Sequence, residues 1–329
     1  MPNYSLRSEA LGRSSTKICI DFEQTLCLAP YALNLLPTGL PMSLTLAQRE
    51  SRLGWRLVAP SIGVIGLLII YPILYNIYLS FFDIKLTGEK LFVGLANYER
   101  LFRDTAFYGS LFTTVIYLFG TVIGSTLAGL LVALLMNLQF PLRRIARTVI
   151  LLPYFAPVIS VVFGWQFIFD PVNGIYNYLV VDILNLTSHR YNIIGDPKTA
   201  ILVVILFDLW KHFPISYLLI ISKLQSINRD HYEAAAMDGC GPIGRFFHVT
   251  LPEIYFVLGT LVILRLIWNL NKFEEIFLLT PNVRTLPIFT YYKAFTGIID
   301  QGFAASVSVF QFLVLSFLIF FYVKKVLKW

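Results

Sequence analysis

Charge is what this sequence has least of. Of its 329 residues only 14% are charged and 57% are hydrophobic, whereas an ordinary soluble chain carries about 25% charged residues. A water-soluble fold of this length would have to hide that apolar surface in a core, and the long uncharged runs make lipid the simpler solvent. Cysteine is also scarce. Cys19, Cys27 and Cys240 form no Cys-x-x-Cys pair, so neither a zinc cage nor a dithiol redox centre is signalled. No His-Glu-x-x-His helix and no Gly-x-Ser-x-Gly elbow occurs, which removes the usual reaction centres of an intramembrane enzyme. There is no Gly-x-x-x-x-Gly-Lys-[Ser/Thr] phosphate loop either. The one excess is a net charge of +7. Its Lys and Arg residues sit in short clusters beside apolar runs, the layout of a topology signal and not of a nucleic-acid surface.

What is present is apolar length. Six runs meet the requirement of about 20 residues for a membrane span: Leu57–Phe82, Ala106–Leu142, Thr148–Phe169, Thr199–Ser222, about Ile254–Thr280, and Gln301–Val323. The expected fold class is therefore all-α, a polytopic membrane protein with six transmembrane helices. Residues 1–48 read as a flexible cytoplasmic tail, because Pro30, Pro37 and Pro41 interrupt their one apolar stretch. Residues 49–329 read as a single transmembrane domain. Arg49, Arg52 and Arg56 precede the first run, Arg143, Arg144 and Arg147 separate the second from the third, and Lys324, Lys325 and Lys328 follow the sixth. With six spans these clusters share one side, which places both termini in the cytoplasm. Gly120-x-x-x-Gly124 and Ser125-x-x-x-Gly129 put small residues at helical spacing in the second run, suited to close helix packing within the chain or against a partner subunit.

The segment between the fourth and fifth runs has a pattern of its own. Asn228 or Asp230 suits a helix N-cap, Glu233-Ala234-Ala235-Ala236-Met237 favours helix, and Gly239 and Gly241-Pro242 stop it. The expected shape is a short surface helix, a sharp turn and a second helical piece leading to Leu251-Pro252. Glu233-Ala234-Ala235, Gly239, Val249 and Leu251-Pro252, with Asp238 before the glycine, resemble the EAA loop of binding-protein-dependent ABC importers, Val249 standing where isoleucine is usual. The resemblance runs from about Leu57 to the C-terminus and is nearest the larger permease subunit of the maltose-type, carbohydrate branch. Leu209-Trp210, Phe213-Pro214 and Leu278-Leu279-Thr280 share in it. Two departures stand out. The large extracytoplasmic domain of that subunit is missing, and Thr280-Pro281-Asn282 runs almost directly into Thr285-Leu286-Pro287 without the family's Gly-Gly-Pro.

The resemblance implies a type I importer permease in a bacterial inner membrane. It implies four kinds of partner: a second permease subunit, two ATPase subunits, an extracytoplasmic solute-binding protein and a sugar-like solute. The loop at about 228–252 would be the coupling element, with Glu233, Ala234, Ala235, Asp238, Gly239, Leu251 and Pro252 seating it in the ATPase. This chain would hold no cofactor, ATP and magnesium being bound by the partner ATPases.

The intramembrane charges form the second candidate site. Asp208, Lys211, His212 and Ile215 share one helical face, and Arg265, Trp268, Asn269 and Lys272 share another. Ionisable groups at such depth face a partner or water. The cargo-contacting positions of maltose-type permeases fall on Asp208, Lys211, His212, Ile215, Arg265, Trp268, Asn269 and Glu274; most differ from the family's residues, which implies a substrate other than maltose. The structural alternative is a pair of interhelical ion pairs, Asp208–Lys211 and Arg265–Glu274. A secondary transporter or channel is the rival function, since it would also carry spans and buried charges, though it needs no coupling loop.

Overall fold

A computed structural model describes residues 46–84 and 89–326. Most of the expected tail, and Lys328 of the cluster after the sixth run, lie outside the described residues. The chain divides into two units at Ile65/Gly66. The described part of the first is a single helix, α1 (Leu46–Ile65), with Trp55, Leu57, Val58 and Ile62 exposed.

The second unit is helical apart from one hairpin. It comprises α2 (Tyr71–Leu79), strands β1 (Phe82–Ile84) and β2 (Lys90–Phe92), α3 (Ala96–Arg103), α4 (Thr105–Asn137), α5 (Arg143–Phe155), α6 (Val158–Ile168), a short turn α7 (Ile175–Asn177), and α8 (Pro197–Ser226). There follow α9 (Arg229–Met237), α10 (Pro242–Arg245), α11 (Leu251–Leu270), α12 (Glu274–Leu279), α13 (Leu286–Phe295) and α14 (Gln301–Val326). Five helices among the described residues are long and apolar enough to cross a membrane, and the bent pair α5–α6 brings the number to six if taken as one span.

Several run boundaries shift, for local reasons. The first run ends as helix at Leu79, and Phe82 already belongs to the antiparallel hairpin in which it faces Phe92. Asn97 on α3 secures that turn, donating Nδ2 to the carbonyls of Ser80 at 2.9 Å and Phe82 at 3.0 Å. The third run is not straight: α5 and α6 meet at 92°. Ala156 is held extended because it precedes Pro157, whose ring disfavours the helical region for its neighbour. The fifth span begins at Pro242, not Ile254, and ends at Leu270, not Thr280. Gln311 of α14 marks that end, its Nε2 donating to the Leu270 carbonyl at 2.9 Å. π-helical turns at Gly66–Ile70 and Phe246–Thr250 each stop shortly before a proline, Pro72 and Pro252. A proline has no N–H to continue the ladder, and a wider turn absorbs the mismatch.

The most extensive packing in this unit joins α4 to α8. A β-carbon on Gly120 would lie 2.8 Å from Ile205 Cδ1, and one on Gly124 2.8 Å from Leu209 Cδ1. One on Gly129 would come within 2.7 Å of the backbone nitrogen of Tyr217. The small-residue stripe therefore serves an intrachain contact. Three buried apolar clusters sit around this pair: Tyr117, Val162, Phe207, Ile276 and Ile288 in one, Ala133, Tyr217, Ile220, Leu224 and Ile254 in another, and Leu101, Phe107, Phe289, Phe303 and Val307 in the third.

Candidate functional site

Asp208, in the middle of α8 and 1% exposed, is the centre of a buried polar cluster. Five side chains converge on its carboxylate. Arg265 Nη2 of α11 donates at 2.5 Å, Lys272 Nζ at 2.7 Å, Tyr117 Oη of α4 at 3.1 Å and Asn269 Nδ2 of α11 at 3.3 Å. His212 Nδ1, one turn along α8, stands 3.2 Å away. The cluster extends outward. Asn269 Nδ2 also reaches Thr121 Oγ1 at 2.7 Å, Arg265 Nε reaches Ser125 Oγ at 3.3 Å, and Lys272 bridges to Glu275 of α12 at 3.0 Å. Two acidic side chains, Asp208 and Glu275, thus face two basic ones, Arg265 and Lys272. A closed, charge-balanced set is what makes ionised groups tolerable in a low-dielectric interior.

The eight expected cargo residues do not all lie together. Asp208, His212, Arg265 and Asn269 join the cluster. Lys211, 3% exposed, turns away and donates Nζ to the Ala156 carbonyl at 2.9 Å. That carbonyl ends α5 at the bend, where the helix dipole is negative and orphan carbonyls want a donor. Trp268 is 44% exposed, Glu274 is exposed, and Ile215 is half-buried. The ion pairs that form here are consequently Asp208–Arg265, Asp208–Lys272 and Lys272–Glu275, in place of Asp208–Lys211 and Arg265–Glu274. Tyr117, Thr121 and Glu275 were not singled out from the sequence, and Ser125 was read only as a small packing residue. Tyr117, Thr121 and Ser125 recur at four-residue spacing on α4, a polar stripe in an otherwise apolar span, and that was the available signal.

Asp208, His212 and Glu275 bring ligand-type atoms within 4.8 Å of one another, as around a metal ion. Lys272 Nζ, 2.7 Å from one carboxylate and 3.0 Å from the other, takes the cation's place. Within this cluster two buried polar atoms have no partner among the described residues: Arg265 Nη1, a donor, and Asn269 Oδ1, an acceptor.

The loop after α8 forms the second candidate site. Asn228 is the N-cap of α9, its Oδ1 accepting from the Asp230 N–H at 3.2 Å, so the capping role falls to it and not to Asp230. At the other end Gly239 has φ +82°. Cys240 N–H donates to the Ala235 carbonyl at 2.9 Å and Gly239 N–H to the Ala236 carbonyl at 3.1 Å. This is a Schellman cap, which glycine adopts without strain. Gly241 then caps α10, with Pro242 at its first position. Tyr232 Oη to Thr250 Oγ1 at 3.0 Å ties α9 to the fifth span, and Lys223 Nζ to Glu253 at 3.0 Å joins the two spans that flank the loop. Glu233, Ala234, Met237, Asp238 and Gly239 face outward, Met237 at 89% exposure, while Ala235 is half-buried. Leu251 is half-buried and Pro252 exposed, both inside the fifth span's helix.

Comparison with known proteins identifies the family. The inner membrane ABC transporter permease protein YcjO of Escherichia coli is 41% identical over 261 residues, which cover 79% of this chain and 89% of that protein. The trehalose/maltose transport system permease protein MalF of Thermococcus litoralis is 34% identical over 283 residues, covering 83% and 94%. Among solved structures, a bacterial ABC transporter involved in the import of the acidic polysaccharide alginate superposes with a TM-score of 0.70 at 17% identity, over 84% of this chain and 96% of that one, a likeness of fold. Residues 120–328 match the family described as binding-protein-dependent transport system inner membrane component. The chain is a multi-pass membrane protein and belongs to that family of binding-protein-dependent inner-membrane transport components.

Proposed function

We propose that the chain is the permease subunit of an ATP-driven importer for a carbohydrate or sugar-like solute, moving cargo by alternating access and hydrolysing nothing itself. The observation that carries this reading is α9: a capped helix, anchored at Tyr232 between two spans that Lys223 and Glu253 join, that presents Glu233, Met237 and Asp238 to the outside of a chain with no phosphate loop. A rigid, exposed helix joined directly to two spans passes a push into the membrane with little loss. In this reading α9 seats in a separate ATPase subunit, which holds ATP and magnesium. The assembly contains a second permease, two ATPases and an extracytoplasmic binding protein, and both termini of this chain are cytoplasmic.

The sugar class is supported by the relatives' names, which include trehalose/maltose and sulfoquinovosyl glycerol systems. It also fits the chemistry of α11. Arg265 Nη1 and Asn269 Oδ1 offer one donor and one acceptor, the complement of a hydroxyl, and Trp268 offers an exposed ring face on the same helix. Reaching the two buried atoms requires α8 and α11 to part, as alternating access would have them do. The test is Glu233→Ala in the reconstituted importer. Binding-protein-stimulated ATP hydrolysis and uptake fall together while membrane insertion is normal; full uptake in that variant sinks the coupling role.

A further inference from the structure

Between α4 and α5 the chain leaves the span at Asn137 and starts again at Arg143. Arg143, Arg144 and Arg147 fall in the first turns of α5, and no acidic residue occurs from residue 105 to residue 169. Among the described residues no ion pair reaches these three arginines. Two of them are held in place by hydrogen bonds to a neutral group. Arg143 Nε donates to the Met136 carbonyl at 2.7 Å and Arg147 Nη2 to the same oxygen at 3.4 Å, capping the end of α4. Arg147 Nε is buried without an acceptor, and among the described residues Arg144 engages only through its backbone carbonyl, which accepts from Thr148 Oγ1 at 3.3 Å. Three cations thus stand together at the positive end of a helix dipole, where like charge is unfavourable and an anion is favoured. Leu142, in the left-handed region at φ 63°, supplies no side-chain cap to that end.

The three arginines line one side of a pocket of about 530 Å³, whose remaining walls are Phe140, Leu142 and Ile145, a volume within the ~300–1,000 Å³ of small-ligand sites. These apolar walls are exposed. A pocket that pairs guanidinium forks with exposed apolar side chains, between the ends of two membrane helices, matches an amphiphile carrying a phosphate ester. We propose that Arg143, Arg144 and Arg147 form a binding site for the phosphate of an anionic membrane phospholipid, with Phe140, Leu142 and Ile145 against its glycerol and upper acyl chains. The apolar walls are what favour a lipid over free phosphate. The site is separate from the buried cluster at Asp208 and does not depend on what the transporter carries.

The test uses native mass spectrometry of the purified full chain, delipidated in detergent and titrated with phosphatidylglycerol, phosphatidylcholine or inorganic phosphate. The wild type retains phosphatidylglycerol in preference to phosphatidylcholine. Arg144→Gln with Arg147→Gln weakens that retention roughly 30-fold, each basic residue near an anionic lipid contributing about fivefold. Arg144→Lys with Arg147→Lys restores most of it, and equal thermal stability of the two double variants separates lost binding from lost folding. Equal retention by wild type and the Gln variant overturns the proposal. So does displacement of the lipid by millimolar phosphate, which would make the ligand a free anion. Unchanged lipid retention with lost ATPase association would assign the arginines to an acidic face of a partner subunit, and also overturns it.

Discussion

Asp208 serves two cations and Arg265 serves one carboxylate, and that asymmetry gives a stability ordering. Asp208→Asn keeps the side chain's shape and leaves Arg265, 1% exposed, with no counter-charge; Lys272 still has Glu275 at 3.0 Å. Stranding one member of a buried pair costs about 3–5 kcal/mol. Arg265→Met removes the other member. Asp208 then retains Lys272 at 2.7 Å, Tyr117 at 3.1 Å and Asn269 at 3.3 Å, so its charge remains compensated. We expect this variant to cost roughly half as much, about 1.5–2.5 kcal/mol, in the range for a lost hydrogen bond to a charged group. The double variant Asp208→Asn, Arg265→Met removes the stranded charge altogether. It is expected to be more stable than Asp208→Asn alone, with a coupling of about 1–3 kcal/mol. The assay is unfolding of the purified protein in detergent, followed by far-UV circular dichroism against denaturant. If Arg265→Met proves as costly as Asp208→Asn, or the two changes add, then Asp208 is not the shared acceptor that this geometry describes.

Other sites give independent expectations. Gly239→Val forces a β-branched residue to φ +82°; it should cost about 1–2 kcal/mol locally, seen as faster hydrogen exchange of α9 and loss of ATPase coupling, whereas Gly239→Asn is largely tolerated. Gly129→Ala puts a methyl 2.7 Å from the Tyr217 backbone nitrogen, and overpacking at that contact should cost about 1–3 kcal/mol, read as a lower Tm. Asp104, just ahead of α4, is opposed by burial, which raises its pKa, but the N–H groups of Ala106 and Phe107 and the Lys293 ammonium outweigh it and hold the carboxyl below its ordinary 3.8. A depressed carboxyl stabilises the fold above its unfolded-state pKa, and that contribution is lost as pH falls through the folded value. Asp104→Asn should therefore flatten the loss of stability below about pH 4; an unchanged acid limb would refute the role.

Much of the fold was legible because lipid and helix geometry each impose a simple rule. Apolar runs longer than 20 residues marked the spans, and the pattern from Asn228 to Pro252 marked a helix, a turn and a helix, where Gly239 indeed takes a left-handed conformation. The errors lay where periodicity carries no information. Ala156-Pro157 turned one apolar run through 92°, a strong local signal hidden inside uniform hydrophobicity. Gln311, far along the chain, marks where the fifth span stops. The buried charges were visible one by one, yet their partners were not.

The sequence by itself determined that this is a membrane protein with a projecting loop between its fourth and fifth spans. Those properties follow from composition, run length and local backbone preference, which need no knowledge of what lies across the bilayer. Only the tertiary structure decided which charges meet. Asp208 could have paired with Lys211, three residues away on the same helix, or with Arg265 on α11 and Lys272 in the turn after it. Helix spacing permits the first pair, but α8 packs so that Lys211 faces the broken end of α5 and Asp208 faces α11. Charge pairing inside a membrane depends on interhelical distance and desolvation, and both are set by packing, not by order along the chain.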